Sequence, residues 1–323
     1  MDIITRSTMT YSYNVLCATD NAYVSYCGVM LTSLFENNKN ISIDVYVLTE
    51  GLSEQNVASF QTLAKKYNQN IYIVAVNSDS VKDCPIQNND YVSIATYYRL
   101  LAQEVLPHHI DKILYLDCDM IISSNITELY NTNINDYAIA AVLDEDYTNA
   151  DKYVKLNYPQ KYGYFNAGML LINLEYWRNK NVMKRCFRYI KTKRANLTFH
   201  DQDTLNAVLH KEKKLLPIKY NLQTGFLYVH NNYSKDFTAE IMDNLDKPTI
   251  IHYTGPSKPW YKGSHHPLRN SFLLFKQISL WNKTLLISTK KSFIETLIHY
   301  RNIIIWKTGL KKHPKTYIIK DKK

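Results

Sequence analysis

Glycine and cysteine are both scarce in this chain: its 323 residues include eight glycines and five cysteines. So little glycine excludes a collagen-like fibre, which needs glycine at every third position. The cysteines are odd in number and form no C-x-x-C pair, so neither a disulfide framework nor a cysteine zinc site is indicated. With 46% apolar and 21% charged residues, the composition excludes a disordered chain. We expect a protein of the reducing cytoplasm.

Long apolar runs are also missing. No uninterrupted stretch reaches the ~18 apolar residues that a membrane-spanning helix requires. Residues 1–12 are polar, and the apolar run that follows is broken at Asp20 and Asn21, so we expect no signal peptide. We find no internal repeat and no low-complexity linker. A chain of this length suits one large α/β domain or two modest ones.

Positive charge is concentrated at the end of the chain. The net charge is +10, but residues 258–323 hold 15 basic and 2 acidic side chains, whereas residues 1–257 hold 24 basic and 27 acidic ones. The near-neutral body argues against a nucleic-acid-binding protein, because the excess charge lies outside it. We therefore predict no nucleic-acid partner and a tail that contacts an anionic surface.

Apolar runs alternate with helical patterns along the chain. Strands separated by helices indicate a mostly parallel sheet, with ligands bound beyond the carboxyl ends of the strands. The polar side chains that directly follow these runs are Asp20, Asp117, Asp119 and Asp144. The predicted strands are 13–18, 41–48, 71–76, 112–116, 137–143 and 249–253, and an apolar run with a glycine spans 164–174. The predicted helices are 23–35, 53–67 (capped by Ser53), 92–105, 175–194 and 201–209.

A D-x-D triplet, Asp117-Cys118-Asp119, ends one of the predicted strands. The triplet alone is common, and it can be simply a solvated turn. At the carboxyl edge of a sheet, however, two alternate carboxylates can hold one hard divalent cation. Its position therefore favours a metal site over the turn.

His252 ends the last predicted strand and is followed by Gly255 and Lys258. A lone histidine near a strand is more often a hydrogen-bonded core residue than a ligand. The glycine, however, lets the backbone approach a phosphate, and the lysine supplies a positive charge for it. An imidazole that joined two carboxylates would favour Mn²⁺ over Mg²⁺.

Six motifs occur in order along the chain: ATDNAYV (18–24), YYRL (97–100), LYLDCDM (114–120), FNAGMLLINL (165–174), HDQDTLN (200–206) and HYTGPSKPW (252–260). Over residues 13–262 the sequence resembles the family 8 retaining glycosyltransferases, especially bacterial lipopolysaccharide and lipooligosaccharide sugar transferases. The resemblance implies an α/β GT-A fold, which is Rossmann-like with helices flanking a mostly parallel sheet. It also implies a UDP-hexose donor, a glycan or lipid-linked glycan acceptor, and a Mn²⁺ cofactor, with Mg²⁺ as the alternative.

The resemblance implies roles for the residues at matching positions. Those for the nucleotide sugar are Ala18, Thr19, Asp20, Tyr23, Arg99, Cys118, Asn166, Ala167, Gly168, Gly255 and Lys258. Those for the metal are Asp117, Asp119 and His252, and those at the reaction centre are Gln202, Asp144 and Asp201.

Several of these residues also have a purely structural interpretation. Asp20 can be a helix N-cap, and Arg99 can form a salt bridge on a helix face. Asn166 can be a buried structural amide, and Gly168 can leave room for a neighbouring strand. The acidic residues at 201 and 203 can simply favour the start of a helix.

We expect residues 1–266 to form the catalytic domain, with a nucleotide-sugar half at about 13–120 and an acceptor half at about 121–266. Residues 267–323 are predicted to form a basic, aromatic helical tail on the inner face of the membrane. The predicted function is metal-dependent, retaining transfer of galactose or glucose in surface polysaccharide or lipopolysaccharide synthesis. Two alternatives remain: a glycogenin-like transferase that glucosylates one of its own 27 tyrosines, and a non-catalytic carbohydrate-binding module.

Overall fold

The computed structural model describes residues 12–86, 93–229 and 232–288, together with isolated positions between 294 and 305. The strands of this part of the chain are β1 (Tyr13–Ala18), β2 (Ile43–Thr49), β3 (Asn70–Ala75), β4 (Lys112–Leu116), β5 (Met120–Ile122), β6 (Ile139–Leu143), β7 (Phe165–Asn173), β8 (Lys213–Leu215), β9 (Leu222–Gln223) and β10 (Ile250–His252). Its α-helices are α1 (Val24–Glu36), α2 (Glu54–Tyr67), α3 (Ala102–Val105), α4 (Thr127–Tyr130), α5 (Ala150–Leu156), α6 (Leu174–Asn179), α7 (Val182–Lys193), α8 (His200–Leu209), α9 (Lys235–Asn244) and α10 (Arg269–Ile278).

Seven strands form the main sheet, in the order β3-β2-β1-β4-β7-β6-β8. Four of the six pairings are parallel, and β7 runs antiparallel to both of its neighbours, β4 and β6. The predicted α/β fold with a mostly parallel sheet is therefore confirmed. Because β7 runs in the opposite direction, its first residues lie at the same edge as the carboxyl ends of β4 and β6.

Helices cover both faces of this sheet, which explains why its strands are nearly continuous apolar runs. Side chains alternate between the faces along each strand. On β1, Val15 and Cys17 join one hydrophobic core while Leu16 joins the other, and all three are fully buried. The sheet thus separates two cores and is fixed in position by both of them.

A smaller sheet, in the order β5-β10-β9, lies beside the main one. In it, β10 runs antiparallel to β5 and parallel to β9, so His252 pairs with Met120 on one side and with Gln223 on the other. Met120 directly follows the D-x-D triplet. This pairing is what brings the histidine to the acidic pair, although more than a hundred residues separate them in sequence.

The helix predictions hold for α1, α2 and α8, and the Ser53 hydroxyl accepts a hydrogen bond from the Asn56 N–H as the cap of α2. The single helix predicted over 175–194 is wrong. The chain breaks between α6 and α7 at Asn181, which adopts a left-handed conformation with φ of 49°. Asparagine tolerates this conformation better than most residues. The break lets Trp177 and Val182 on either side of it both be fully buried.

The helix predicted over 92–105 also differs in the structure. It is a 3₁₀ helix at Ile94–Leu101, and only Ala102–Val105 is α-helical. With three residues per turn, side chains at i and i+3 eclipse one another. Thr96 and Arg99 therefore lie on the same edge, where the Arg99 Nε–H donates to the Thr96 carbonyl at 3.0 Å.

The chain after residue 266 begins as an integral part of the fold. α10 packs on α1, and Trp281 lies so close to Gly28 that a Cβ there would be 2.0 Å from its ring. The Ile287 N–H donates to the Trp260 carbonyl at 3.0 Å. The domain boundary at 266 stays a prediction, but these contacts extend to residue 287. In the described part of the chain, no helix combines the length and apolarity needed to cross a membrane.

Candidate active site

The candidate site lies at one edge of the main sheet, where three chain segments meet. Asp117 follows β4, Asp144 follows β6, and Asn166, Ala167 and Gly168 lie near the start of β7. The register pairs Leu116 with Met169 and Leu143 with Phe165, and the Asp117 N–H donates to the Gly168 carbonyl at 2.8 Å. The ends of the strands thus bring the predicted residues together from distant parts of the sequence.

Asp117, Asp119 and His252 form a cluster whose ligand atoms all lie within 4.8 Å of one another. The His252 Nε2 atom is 3.2 Å from Asp119 Oδ1 and 4.0 Å from Asp117 Oδ2. Two carboxylates and one imidazole are a donor set that suits Mn²⁺ and tolerates Mg²⁺. The residues present therefore fit the divalent cation that the sequence predicts.

Gly168 lies directly against the side chains of this cluster. A Cβ at this position would be 2.4 Å from His252 Cε1 and 2.7 Å from Asp117 Oδ2. Real Cβ atoms essentially never make contacts shorter than 3.0 Å, so a larger residue would displace the ligands. The glycine is needed here for the close approach of the triad.

Lys258 supplies the positive charge nearest to the acidic pair. Its ammonium donates to Asp119 Oδ2 at 2.5 Å and to the Tyr253 carbonyl at 2.6 Å, and the side chain is buried. Burial alone would raise the pKa of Asp119, but that pKa is held well below its usual range, above all by the Lys258 ammonium. Asp119 is therefore ionised, as a metal ligand must be.

Arg99 is buried between two carboxylates. Its Nη2 donates to Asp117 Oδ1 at 3.0 Å, and its Nε lies 2.9 Å from Asp201 Oδ2. The guanidinium also lies 4.2 Å from the centre of the Tyr115 ring, whose hydroxyl donates to Asp117 at 2.7 Å. The salt-bridge interpretation of Arg99 thus holds, but the bridge orients a residue of the metal cluster.

Asp201 faces away from open solvent and is only 3% exposed. The Thr96 hydroxyl donates to its Oδ1 at 2.5 Å. Burial raises the pKa of Asp201, and the neighbouring Arg99 opposes that effect. Its predicted place at the reaction centre stays a prediction, and the contacts described here are to Arg99 and Thr96.

A cleft lies beside the metal cluster, at the end of the site where the sequence predicts that the nucleotide binds. Asp20 Oδ1 accepts the N–H groups of Ala22 and Tyr23 at 2.9 and 3.0 Å, so Asp20 does stabilise the turn that leads into α1. The lining residues that the sequence predicted are Ala18, Thr19, Asp20, Tyr23, Arg99, Asp117, Cys118, Asp119 and Lys258, and those that it missed are Ser93, Ala95, Thr96 and Tyr115.

Gln202 and Asp144 meet at the other end of the site. The Gln202 amide donates to Asp144 Oδ2 at 3.1 Å and accepts the Ala167 N–H at 2.9 Å. Lys152 donates to Asp144 Oδ1 at 3.0 Å and is itself buried. Lys152 was not predicted, because nothing in the sequence around α5 signals a residue that points into a site.

Gly255 adopts φ of 74° in the turn that follows β10. Only glycine reaches this left-handed region readily, and no atom lies within 4 Å of where its Cβ would be. The turn carries the chain from His252 to Lys258. Its predicted contact with a diphosphate stays a prediction.

Comparison with known proteins identifies the family. The model of "Glycosyl transferase family 8" matches residues 14–263. The chain belongs to glycosyltransferase family 8. A lipopolysaccharide 1,3-galactosyltransferase of Salmonella typhimurium is 28% identical over 300 residues, which cover 88% of this chain and 86% of that protein. A lipopolysaccharide 1,2-glucosyltransferase of Escherichia coli is 28% identical over 298 residues, which cover 90% and 85%.

Solved structures agree with this assignment. The galactosyltransferase LgtC, in complex with donor and acceptor sugar analogues, has a TM-score of 0.75 at 25% identity, and the match covers 86% of this chain and 98% of LgtC. The predicted GT-A fold is confirmed by this likeness. As a family 8 glycosyltransferase the chain is an enzyme, so the alternative of a non-catalytic carbohydrate-binding module is not supported.

Proposed function

We propose that this enzyme transfers a hexose, galactose or glucose, from a UDP-sugar to a glycan acceptor with retention of the anomeric configuration. The observation that carries the proposal is the cluster of Asp117, Asp119 and His252, whose two carboxylates line the predicted nucleotide cleft. Full-length relatives of similar sequence are named as lipopolysaccharide galactosyl- and glucosyltransferases. We therefore also propose that the enzyme acts in lipopolysaccharide or surface polysaccharide synthesis.

Mn²⁺, or Mg²⁺ in its place, is the cofactor proposed for the triad. A divalent cation held there would supply Lewis-acid stabilisation of the charge that develops on the departing diphosphate. Lys258 lies beside Asp119 and adds a fixed positive charge at this end of the cleft. Arg99, held by Asp117 and Asp201, is already oriented before any ligand binds. Binding therefore requires little reorganisation of these charged groups.

Gln202 and Asp144 are proposed for the reacting end. The Gln202 amide is a poor nucleophile, and both of its polar atoms already have partners in Asp144 and Ala167. This favours a displacement in which the acceptor hydroxyl attacks the anomeric carbon on the face that the UDP leaves. The hydroxyl proton then passes to a phosphate oxygen of the leaving group, and the product keeps the α configuration.

Donor turnover tests this proposal. The protein is incubated with UDP-glucose, UDP-galactose and their N-acetyl forms, with Mn²⁺ or with excess chelator, and UDP release is measured. We expect release from one hexose donor that the chelator abolishes, and an α linkage in the proton NMR spectrum of the product. Turnover that the chelator leaves unchanged, or a β linkage from an α-linked donor, would contradict it. Mass spectrometry of the intact protein tests the glycogenin-like alternative, which predicts hexose units on the chain itself.

The tail is proposed to bind the anionic inner leaflet of a membrane, which would place the enzyme at the cytoplasmic face beside lipid-linked acceptors. Ile294, Leu297 and Ile298 are helical and 53%, 53% and 41% exposed, and their i, i+3, i+4 spacing puts them on one face. Residues 307–323 add seven lysines and one acid. Each lysine near such a surface contributes about 1 kcal/mol, which salt screens.

Vesicle binding tests the tail. Because contacts to the body extend to Ile287, the deletion should remove residues 289–323 only. We expect the full chain to co-sediment with anionic vesicles at low salt and not with neutral ones, and the deletion variant to lose binding while it still hydrolyses UDP-sugar. A full chain that ignores anionic vesicles would contradict the membrane proposal alone and leave the reaction proposal standing.

A further inference from the structure

A continuous chain of hydrogen bonds joins Asp144, at the reacting end of the site, to His252 in the metal cluster. Asn166 Nδ2 donates to Asp144 Oδ2 at 3.2 Å, and Asn221 Nδ2 donates to Asn166 Oδ1 at 3.0 Å. Asn221 Oδ1 then lies 3.0 Å from His252 Nδ1. All four side chains are buried, and Asn221 is 0% exposed. Asn221 carries none of the roles that the sequence predicted.

The orientation of each amide follows from its neighbours. The Lys152 ammonium pairs with Asp144, and a carboxylate can only accept, so Asn166 must turn its NH₂ group toward Asp144. The Gly168 N–H donates to Asn166 Oδ1 at 3.0 Å, which independently requires the same orientation. The Asn166 oxygen can in turn only accept, so Asn221 must present its NH₂ group to it.

This sequence of donors and acceptors ends at the imidazole. With its NH₂ group on Asn166, Asn221 has only its carbonyl oxygen to offer His252, so the Nδ1 atom must carry a proton. A neutral ring has one such proton, which leaves a lone pair on Nε2. That lone pair faces Asp119 Oδ1, which is 3.2 Å from Nε2. The imidazole nitrogen and the carboxylate oxygen are then both electron-pair donors, and a cation would lie between them.

We propose that Asn221 and Asn166 are positioning residues that hold His252 in the Nδ1–H tautomer and so keep Nε2 available to a divalent cation. The inference rests on the metal site proposed above. Without these amides, an Nε2–H tautomer would donate to Asp119 and occupy the space of the cation. Asp144 also accepts from Gln202, so one carboxylate orients both the reacting end and the metal end of the site.

Nitrogen-15 NMR of histidine-labelled protein without metal tests the tautomer directly. We expect the neutral His252 ring of the wild-type protein to carry its proton on Nδ1. Asn221→Leu removes the acceptor and should shift the proton toward Nε2. Asn221→Asp keeps an acceptor and should restore the Nδ1–H form. A purely structural role of Asn221 predicts no such difference between the two variants.

Mn²⁺ affinity, measured by the electron paramagnetic resonance signal of the free ion, is the second readout. We expect about 10- to 100-fold weaker binding for Asn221→Leu, as is usual when a partner of a metal-bound histidine is lost. Asn221→Asp keeps the acceptor for the Nδ1–H group but loses the donor to Asn166, so it should bind Mn²⁺ more tightly than Asn221→Leu does. Asn38→Leu is the matched control, because Asn38 is equally buried but bonds only to the backbone of Leu34 and Ile126. It should lower stability without changing the tautomer or the affinity.

A neutral wild-type ring with its proton on Nε2 would overturn the inference, and so would unchanged tautomer and affinity in Asn221→Leu. If that variant does not fold, the wild-type spectrum and Asn221→Asp still decide. Failure of the proposed function is distinguishable, because it would appear as Mn²⁺ binding that survives Asp117→Asn.

Discussion

Replacing Gly168 with alanine should disable the metal cluster while leaving the protein folded. The new Cβ would lie 2.4 Å from His252 Cε1, and ordinary van der Waals contact begins at 3.4 Å, so the imidazole must move by about 1 Å. A displacement of that size in a catalytic arrangement can cost roughly 100-fold in rate. We therefore expect a loss of about 100-fold in turnover and weaker Mn²⁺ binding.

The stability cost should be moderate by comparison. Inserting one methyl group into a packed site costs about 1–3 kcal/mol. Gly28→Ala is the matched control, because its Cβ would lie 2.0 Å from the Trp281 ring, where α1 meets the segment after α10. It should lower the melting temperature at least as much while the folded protein keeps its Mn²⁺ affinity. If Gly168→Ala binds Mn²⁺ and turns over donor as the wild type does, the geometry argued here for the triad is wrong.

Four further substitutions have separable outcomes. Asp117→Asn and Asp119→Asn should both abolish Mn²⁺-dependent turnover. Asp119→Asn should also cost about 3–5 kcal/mol of stability in urea unfolding, because it leaves the buried Lys258 ammonium without its carboxylate. Equal stability of the two variants would contradict this expectation. Burial, and then Asp144, raise the pKa of Glu145, so the folded state binds this proton more tightly than the unfolded chain does and stability should fall as the pH rises through that pKa. Glu145→Gln should remove this loss, visible as a flatter dependence of the melting temperature on pH above the ordinary glutamate pKa of about 4.3. Trp281→Ala should lower the free energy of unfolding by about 3 kcal/mol, and an unchanged urea midpoint would show that the segment after α10 does not support the body.

The fold was predictable because its signals are local. The apolar runs of β1, β4 and β6 are long enough to identify buried strands, and Ser53 marks the start of α2. The two errors in the helices come from tertiary demands. Asn181 breaks a pattern that looks continuous in sequence, and the 3₁₀ turn at Ile94–Leu101 sets Thr96 beside Arg99, a spacing that periodicity over 92–105 does not reveal.

The metal cluster could also be anticipated. Asp117 and Asp119 follow a strand directly, and His252 ends another, so the rule that ligands bind at strand ends identifies all three. The motifs shared with family 8 glycosyltransferases pointed to the same positions. Local pattern thus identified the residues that are proposed to bind the cation.

The residues that orient them are decided only by the tertiary structure. Asn221 meets Asn166 across 55 positions of sequence, and Lys258 meets Asp119 across 139. Such pairs depend on the register between strands and on which buried polar group finds which partner. Hydrophobic periodicity indicates whether a side chain faces a core, but it contains no information about which hydrogen-bond donor or acceptor lies next to that side chain. The order of donors and acceptors from Asp144 to His252 therefore becomes visible only when the two sheets are assembled.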